Sequence, residues 1–399
     1  MKRLSVLLAV AFVDMMGLMI VVPQLPFYAQ RFGASPSIIG LLVAAFPVAQ
    51  LAASPVWGRL SDHYGRRPVL LAGLSASAVA YLIFAFADSL PLLFLSRIAQ
   101  GLGGGMTGVA QAYVADTMAP RERAKALGWL SAATSAGVVI GPFLGSLSVR
   151  FGYAAPGLVA AALVVGNLAF GWASLPESRR RHTPPPGGMP ESRPAGRSIK
   201  TALWEVIRHP GRPAAQVIWI YVVAMLAYNA VPPVFALYLN RRFAVTEETI
   251  GYFFVVFGVV GVLMRATLVG WVNQRLGEVR TMRLGAVLYA LGFALCPLAP
   301  TVALFVAAQI LLPLGTALLF PATSALVSHR APHHEMGLTM GVQQTFRGVS
   351  SVVAPLSAGV AYERLGPSVP FFACAAILAF ATLLAWRVRQ DAPAEAPSD

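Results

Sequence analysis

Charge is scarce in this 399-residue chain: Asp, Glu, Lys and Arg together make up 12% of it. Soluble domains carry about 25%. A chain with so little polar surface is excluded from folding as an ordinary water-soluble globule. Cysteine is scarce too. Cys296 and Cys374 both sit in apolar runs, which points to packing and away from a disulfide framework. No G-x-x-x-x-G-K-[ST] loop is present to cradle phosphates, so bound ATP is not the expected energy source. No nucleophile elbow or metalloprotease pattern appears, so a membrane enzyme has no visible catalytic constellation. The histidines fall in loops or their margins, and 329-HRAPHHE-335 has no defined metal-ligand spacing. No metal and no bound cofactor are expected.

What is present is hydrocarbon. The hydrophobic share is 57% and the mean hydropathy is +0.68. Apolar runs recur at roughly 4–30, 37–57, 68–87, 91–115, 125–149 and 154–175, then at 214–239, 249–273, 281–299, 302–328, 336–361 and 368–388. Each is close to the ~20 residues that cross ~30 Å of hydrocarbon as a helix. Barrel strands would be shorter and would alternate apolar with polar. The fold class expected is therefore all-α integral membrane, with twelve transmembrane helices. The opening MKRLSVLLAVAFV imitates a signal peptide, but its apolar run continues to about Tyr28 without a small-x-small cleavage site. It reads as a retained first span.

Between the sixth and seventh runs lies 175-LPESRRRHTPPPGGMPESRPAGRS-198, whose Pro, Gly, Arg and Ser describe a flexible tether. In 198-SIKTALWEVIRHP-210, Ile199, Ala202, Leu203, Val206 and Ile207 share one helical face, with Lys200, Glu205 and Arg208 elsewhere. That pattern describes an interfacial helix, with a soluble linker helix as the alternative. The expected organisation is an N-terminal six-helix bundle over 1–175, a cytoplasmic linker with its helix over 176–213, a second six-helix bundle over 214–388 and a cytoplasmic tail over 389–399.

The formal net charge of +14 would suggest nucleic acid for a soluble protein, but here orientation accounts for it. Of 30 Lys and Arg residues, 22 lie on the side of the N-terminus, five on the other side and three (Arg97, Arg265 and Arg347) inside spans. By the positive-inside bias both termini are expected to be cytoplasmic. A weak repeat supports two pseudo-symmetric halves. The segment 58-GRLSDHYGRRP-68 aligns with 270-GWVNQRLGEVR-280, and Gly58, Gly65 and Gly73 match Gly270, Gly277 and Gly285 at an offset of 212. A site at the interface of the halves, near the midplane, is the expectation.

Asp14 lies about ten residues into the first run, so roughly 15 Å deep at 1.5 Å per residue. An ionised carboxylate at depth costs at least ~2.5 kcal/mol, so it needs a partner or a neutral state. Desolvation favours the protonated form, and a group that takes up and releases a proton can couple that step to movement. Arg97 is the natural partner, with Gln100 one turn further in as a bridge. Contact with a cationic substrate and a structural ion pair are the other readings of Asp14.

The loop 58-GRLSDHYGRRP-68 is similar to the G-x-L-x-D-x-x-G-R-R signature of the major facilitator superfamily. Further motifs follow in order. 97-RIAQG-101 resembles the R-x-x-x-G pattern of the fourth span, in the form common in drug exporters. 137-GVVIGPFLGS-146 resembles the G-x-x-x-G-P-x-x-G-G antiporter signature, departing where Ser146 replaces Gly. 14-DMMGLMIVVPQLP-26 resembles the D-x-x-G-x-x-x-x-x-P-x-L-P pattern of twelve-span drug:proton antiporters. The resemblance covers essentially the whole chain, and the copies in the second half are eroded.

The resemblance implies the major facilitator fold and a cytoplasmic latch of Gly58, Asp62, Gly65, Arg66 and Arg67, with Arg66 paired to Asp116 and Asp62 docked at the start of the eleventh span. A static loop with local ion pairs is the alternative. Gly137, Gly141 and Gly145 recur every four residues and make a flat stripe, while Pro142 removes a helix bond. The resemblance links this motif to exporters; ordinary small-residue packing is the plainer reading. Phe46, Gln50, Tyr228, Asn229, Gln344 and Arg347 lie near midspan and are candidate cavity residues. Arg347 would discourage cations or attract anions.

The expected function is export of small organic compounds or drugs in exchange for protons, by alternating access. The partners are the substrate, protons as coupling ion and the lipid bilayer of an inner membrane, with no nucleic acid, and the protein is expected to be a monomer. A proton-coupled or facilitative transporter of a sugar or other metabolite is the alternative on the same scaffold. A receptor or lipid-handling protein without solute turnover is opposed by the short loops and the intact charged motif.

Overall fold

The structure is a computed structural model that describes residues 2–104, 106–178, 199–330 and 336–388. The tether over 179–198, the tail over 389–399 and positions 331–335 of the histidine-bearing segment lie outside the described residues.

Among the described residues the chain is helical from end to end. The first span is α1 (Lys2–Val21) followed by α2 (Leu25–Arg31). The next spans are α3 (Pro36–Tyr64), α4 (Arg66–Ala85), and a fourth built from α5 (Leu90–Gly103) and α6 (Met106–Thr117). α7 (Pro120–Val149) and α8 (Ala155–Ser174) complete the first six. α9 (Ile199–Arg208) precedes the second set. That set is α10 (Pro213–Phe243), α11 (Ile250–Leu295), α12 (Val302–Gln309) with α13 (Leu311–Arg330), α14 (Met336–Leu365) and α15 (Val369–Arg387). α11 supplies two spans, because its backbone reverses at Gly277. Among the described residues the count is twelve spans. Proline in the first turn starts α2, α3, α5, α7, α8 and α15, where its missing N–H costs nothing. Large apolar side chains such as Phe86, Trp172, Leu383 and Trp386 stay exposed, as a surface in contact with lipid requires.

The charged loop expected over 58–68 is not a loop. α3 runs on to Tyr64 and α4 starts at Arg66, so Gly65 alone makes the reversal. Helices extend past the hydrocarbon because doing so keeps their backbone hydrogen bonds satisfied. The turn needs φ 102° and ψ 165°, a region essentially open to glycine alone. Gly277 repeats it with φ 74° and ψ 165°. The two positions are 212 residues apart, so the repeat seen faintly in the sequence is a repeat of backbone geometry.

By internal contacts the chain forms two units. The first is Met1–Glu191 with Pro232–Gly258 and Pro355–Pro367; the second is Ser192–Val231, Val259–Ala354 and Ser368–Asp399. Each carries the same close helix crossing. In the first, a Cβ at Gly73 would collide with Met106, and one at Gly103 would lie 2.8 Å from Ala76 Cβ. In the second, a Cβ at Gly285 would lie 2.7 Å from Leu319 N, and one at Gly315 would lie 2.6 Å from Tyr289 Cβ. Gly103 and Gly315 again differ by 212. Small residues at these points let backbones touch, which is how helices associate in lipid.

Candidate functional site

Asp14 projects from α1 into a cavity of about 40 Å³, lined mainly by apolar side chains of α1, α4, α6 and α7 and by Thr107 and Thr134. That volume holds about one water. Asp14 makes no ion pair with Arg97. Tyr81 of α4, which is 2% exposed, stands beside Gln100 and within electrostatic reach of both Asp14 and Arg97. Arg97 donates to the Gln100 side-chain oxygen and stands over the Phe46 ring, 4.8 Å from its centroid. The glycine of the R-x-x-x-G pattern explains this placement. A Cβ at Gly101 would strike the Phe46 carbonyl and lie 2.7 Å from Ala49 Cβ, so only glycine lets α5 lie this close to α3. Gln50 is engaged as well, donating to the Gly104 carbonyl at 2.6 Å, where the fourth span is broken. Asn167 of α8 donates to the Val10 carbonyl at 3.0 Å and pins the helical turn that carries Asp14.

Tyr81 and Asn167 were not visible as candidates. A tyrosine in an apolar run reads as core, and only the fold brings Tyr81 near Asp14 and Gln100. One signal was available: Gly17 follows Asp14 by one turn, and a Cβ there would lie 3.4 Å from the Tyr81 hydroxyl.

The α7 motif works on two faces. Gly137, Gly141 and Gly145 point at α1. A Cβ at Gly137 would lie 2.6 Å from the Phe12 carbonyl, and one at Gly141 would lie 2.6 Å from Met19 Cβ. The stripe therefore presses α7 onto the helix that holds Asp14. The other face, with Val139, Pro142 and Ser146, meets the first turns of α11. A Cβ at Gly251 would collide with the Pro142 carbonyl, and one at Gly258 would lie 2.7 Å from Val139 Cγ2.

Ser146, the departure from the signature, is a hydrogen-bond hub. Its Oγ donates to the Glu247 carbonyl at 2.8 Å and accepts from the Gly251 N–H at 2.9 Å. Gln24 donates to the same Glu247 carbonyl at 3.1 Å. Ion pairs surround the hub: Arg31 with Glu247 at 2.6 Å and Arg150 with Glu248 at 3.4 Å. Arg31 also lies over the Tyr153 ring, 5.0 Å from its centroid. Burial pushes the Tyr153 phenol up to about 12, so it stays protonated at neutral pH. Glu363 accepts from the Ser37 N–H at 2.9 Å.

At the opposite end of the same unit, Arg66 is the centre. Its guanidinium bonds Asp62 at 2.6 Å, Asp116 at 3.0 Å and Ser61 at 2.6 Å. Asp116 closes α6, where a carboxylate opposes the helix dipole, so the cation beside it offsets that cost. Glu177, at the start of the linker sequence, caps α4 by accepting from the Arg66 and Arg67 N–H groups at 2.9 and 3.1 Å. Arg67 donates to the Trp172 carbonyl at 2.5 Å. Gly58 does not mediate a close approach: it lies inside α3 with nothing within 4 Å of where its Cβ would be.

In the second unit the counterpart survives with its polarity exchanged. Glu278 stands 212 residues after Arg66, and it pairs with His329 at 3.1 Å. The cavity candidates there are Tyr228, in edge contact with Phe320 at 5.9 Å, and Asn229, which donates to the Met225 carbonyl at 2.9 Å. Gln344 and Arg347 are both exposed on α14. Ala202, Leu203 and Val206 of α9 are half-buried, and the Val206 carbonyl accepts from Trp219 Nε1 at 3.3 Å. Glu205 pairs with Arg212 beside it.

The sequence of a tetracycline resistance protein of class C from Escherichia coli is 30% identical over 361 residues, covering 89% of this chain and 88% of that protein. Multidrug resistance protein 2 of Bacillus subtilis is 29% identical over 371 residues, covering 90% and 88%. The fold is similar to that of a bacterial homologue of the human lysosomal transporter Spinster, solved inward-facing and occupied, with a TM-score of 0.77 at 12% identity over 96% of each chain. The family model of the Major Facilitator Superfamily matches residues 7–223 and 217–399, nearly the whole length. With twelve spans, a repeated half and a match over both halves, this multi-pass membrane protein belongs to the Major Facilitator Superfamily.

Proposed function

We propose that the protein exports small organic compounds in exchange for protons, by alternating access, and that Asp14 carries the proton. The observation behind this is an acid without a salt bridge: Asp14 borders an apolar, water-sized space, with Tyr81, Gln100 and Arg97 forming a polar path beside it. An acid so placed is stable in its neutral form and costly in its charged form, so each proton step changes what α1 can pack against. The resistance proteins that resemble the chain favour export and drug-like substrates. Phe46, Gln50, Tyr228, Asn229, Gln344 and Arg347 would line the path, and the Arg66 and Ser146 clusters would fasten its two ends in turn. In this reading the chain is divided as 1–175, 176–213, 214–388 and 389–399, both termini are cytoplasmic, the membrane is the inner membrane, and the working unit is a monomer needing only protons as coupling ion.

The test is proton movement in inverted vesicles, for wild type and Asp14→Asn. A compound from a broad drug panel should dissipate the imposed pH gradient with wild type only. An equal response from both would remove Asp14 as carrier. No response from wild type to any compound would overturn export of drugs and favour a metabolite.

A further inference from the structure

We propose that the compounds bound by this transporter are aromatic organic anions, and that the Arg347 guanidinium is the group that receives their negative charge. The proposal deepens the export reading by naming a substrate class, and it stands on the second unit alone.

Depth comes first. Arg347 is the twelfth of 30 residues in α14, so it sits roughly 17 Å along the helix at 1.5 Å per residue. An ionised side chain at that depth is costly and is retained where it faces water, a counter-ion or a ligand. The described residues of the second unit supply no counter-ion. Among the described residues of the second unit the acids are Glu205 and Glu278, and these are paired with Arg212 and His329. The acid on Arg347's own helix is Glu363, which lies 16 residues further on and is bonded to Ser37.

Direction comes second. At about 100° per residue, Gln344, Arg347 and Ser351 fall within ~60° of one another. Val349, Val353 and Val360 form the other exposed stripe of α14, being 49%, 47% and 42% exposed. That stripe is apolar and suits lipid, and its centre lies about 180° from the polar one. Arg347 therefore points away from the lipid-like face.

The surroundings come third. Tyr221 of α10 is the phenol whose electrostatic environment includes Arg347. Its ring packs on Phe320 at 5.6 Å, and Phe346, next to Arg347 in sequence, packs on Trp219 at 5.6 Å. Tyr221 near the guanidinium, with these rings on the neighbouring helix faces, suits a ligand whose flat ring ends in an acid. The guanidinium presents a planar fork of donors, which suits the paired oxygens of a carboxylate or sulfonate. Among the described residues of this unit, a cation there meets the positive charge of Arg347 and no carboxylate that is not already paired.

The experiment uses the full chain in lipid nanodiscs and two probes with one ring and opposite charge, naphthalenesulfonate and naphthyltrimethylammonium. Binding is read by scintillation proximity. Wild type should bind the sulfonate more tightly. Arg347→Gln should weaken sulfonate binding about tenfold or more, and should leave the ammonium unchanged or tighter. Arg347→Lys should fall between, keeping the charge and losing the fork. Equal binding of both probes, preference for the ammonium, binding of neither, or sulfonate binding unmoved in Arg347→Gln would each overturn the proposal. Proton release by wild type in vesicles is recorded alongside. Arg347-dependent sulfonate binding without proton release would sustain this proposal and overturn the exchange reading.

Discussion

Replacing Ser146 by glycine restores the residue that the antiporter signature carries, and the structure gives the size of the effect. Two good hydrogen bonds disappear, one to the Glu247 carbonyl and one from the Gly251 N–H. The carbonyl keeps Gln24 as a donor at 3.1 Å. The Gly251 N–H lies in the first turn of α11, so no carbonyl of its own helix takes it over. The loss therefore falls on one buried donor, which costs about 1–3 kcal/mol. If this surface opens and closes during transport, its opening constant should rise about 5- to 150-fold in Ser146→Gly. Hydrogen–deuterium exchange on the chain in nanodiscs reads this directly. Gly251 itself will exchange faster for a trivial reason. The informative peptides are 20–31 and 144–152, which this contact covers, and both should lose protection together with 244–252. Acceleration confined to 244–252 would show a local bond with no part in opening, and the reasoning would be wrong. Ser146→Ala removes the same bonds and should behave alike.

Tyr81→Phe deletes one hydroxyl from the path between Asp14 and Gln100; it should slow proton-coupled transport in vesicles while substrate binding holds, and unchanged coupling would take Tyr81 out of the path. Gly65→Ala should destabilise by about 1–3 kcal/mol, because a β-carbon is disfavoured at this φ and ψ and would also lie 2.6 Å from a Glu177 oxygen. Gly277→Ala should cost a similar amount by thermal melting, and no shift in either would deny that these turns need glycine. Arg66→Lys keeps the charge but cannot span Asp62 and Asp116 together. Stability should change by less than about 1 kcal/mol, since these ion pairs are partly exposed. Turnover in vesicles should drop, and full activity would mark the cluster as static.

Hydropathy made the twelve spans legible because lipid imposes a length on every helix. It could not place helix ends, since a polar residue extends a helix beyond the membrane as readily as it makes a loop. That is why the reversal at Gly65 looked like an eleven-residue loop. The motif glycines were legible as a stripe, but a stripe does not name its partner. The fold names α1 for Gly137, Gly141 and Gly145, and the first turns of α11 for the face with Pro142. Asp14 stood out as a carboxylate in hydrocarbon. Tyr81 and Glu177 did not, because one resembles core and the other resembles linker until the chain is folded. The pairing of Arg66 with Asp116 came from resemblance, and its mirror in Glu278 and His329 was hidden because the charges are exchanged.

The two contact units are interleaved along the chain. Residues 232–258 and 355–367, made long after the first six helices, complete the unit that begins at Met1. During synthesis the first half must therefore wait in the bilayer with Gln24, Arg31 and Ser146 lacking their later partners. A gene cut within the tether should yield two fragments that insert separately, yet the first should be sensitive to protease at its 20–31 and 144–152 ends until the second is supplied.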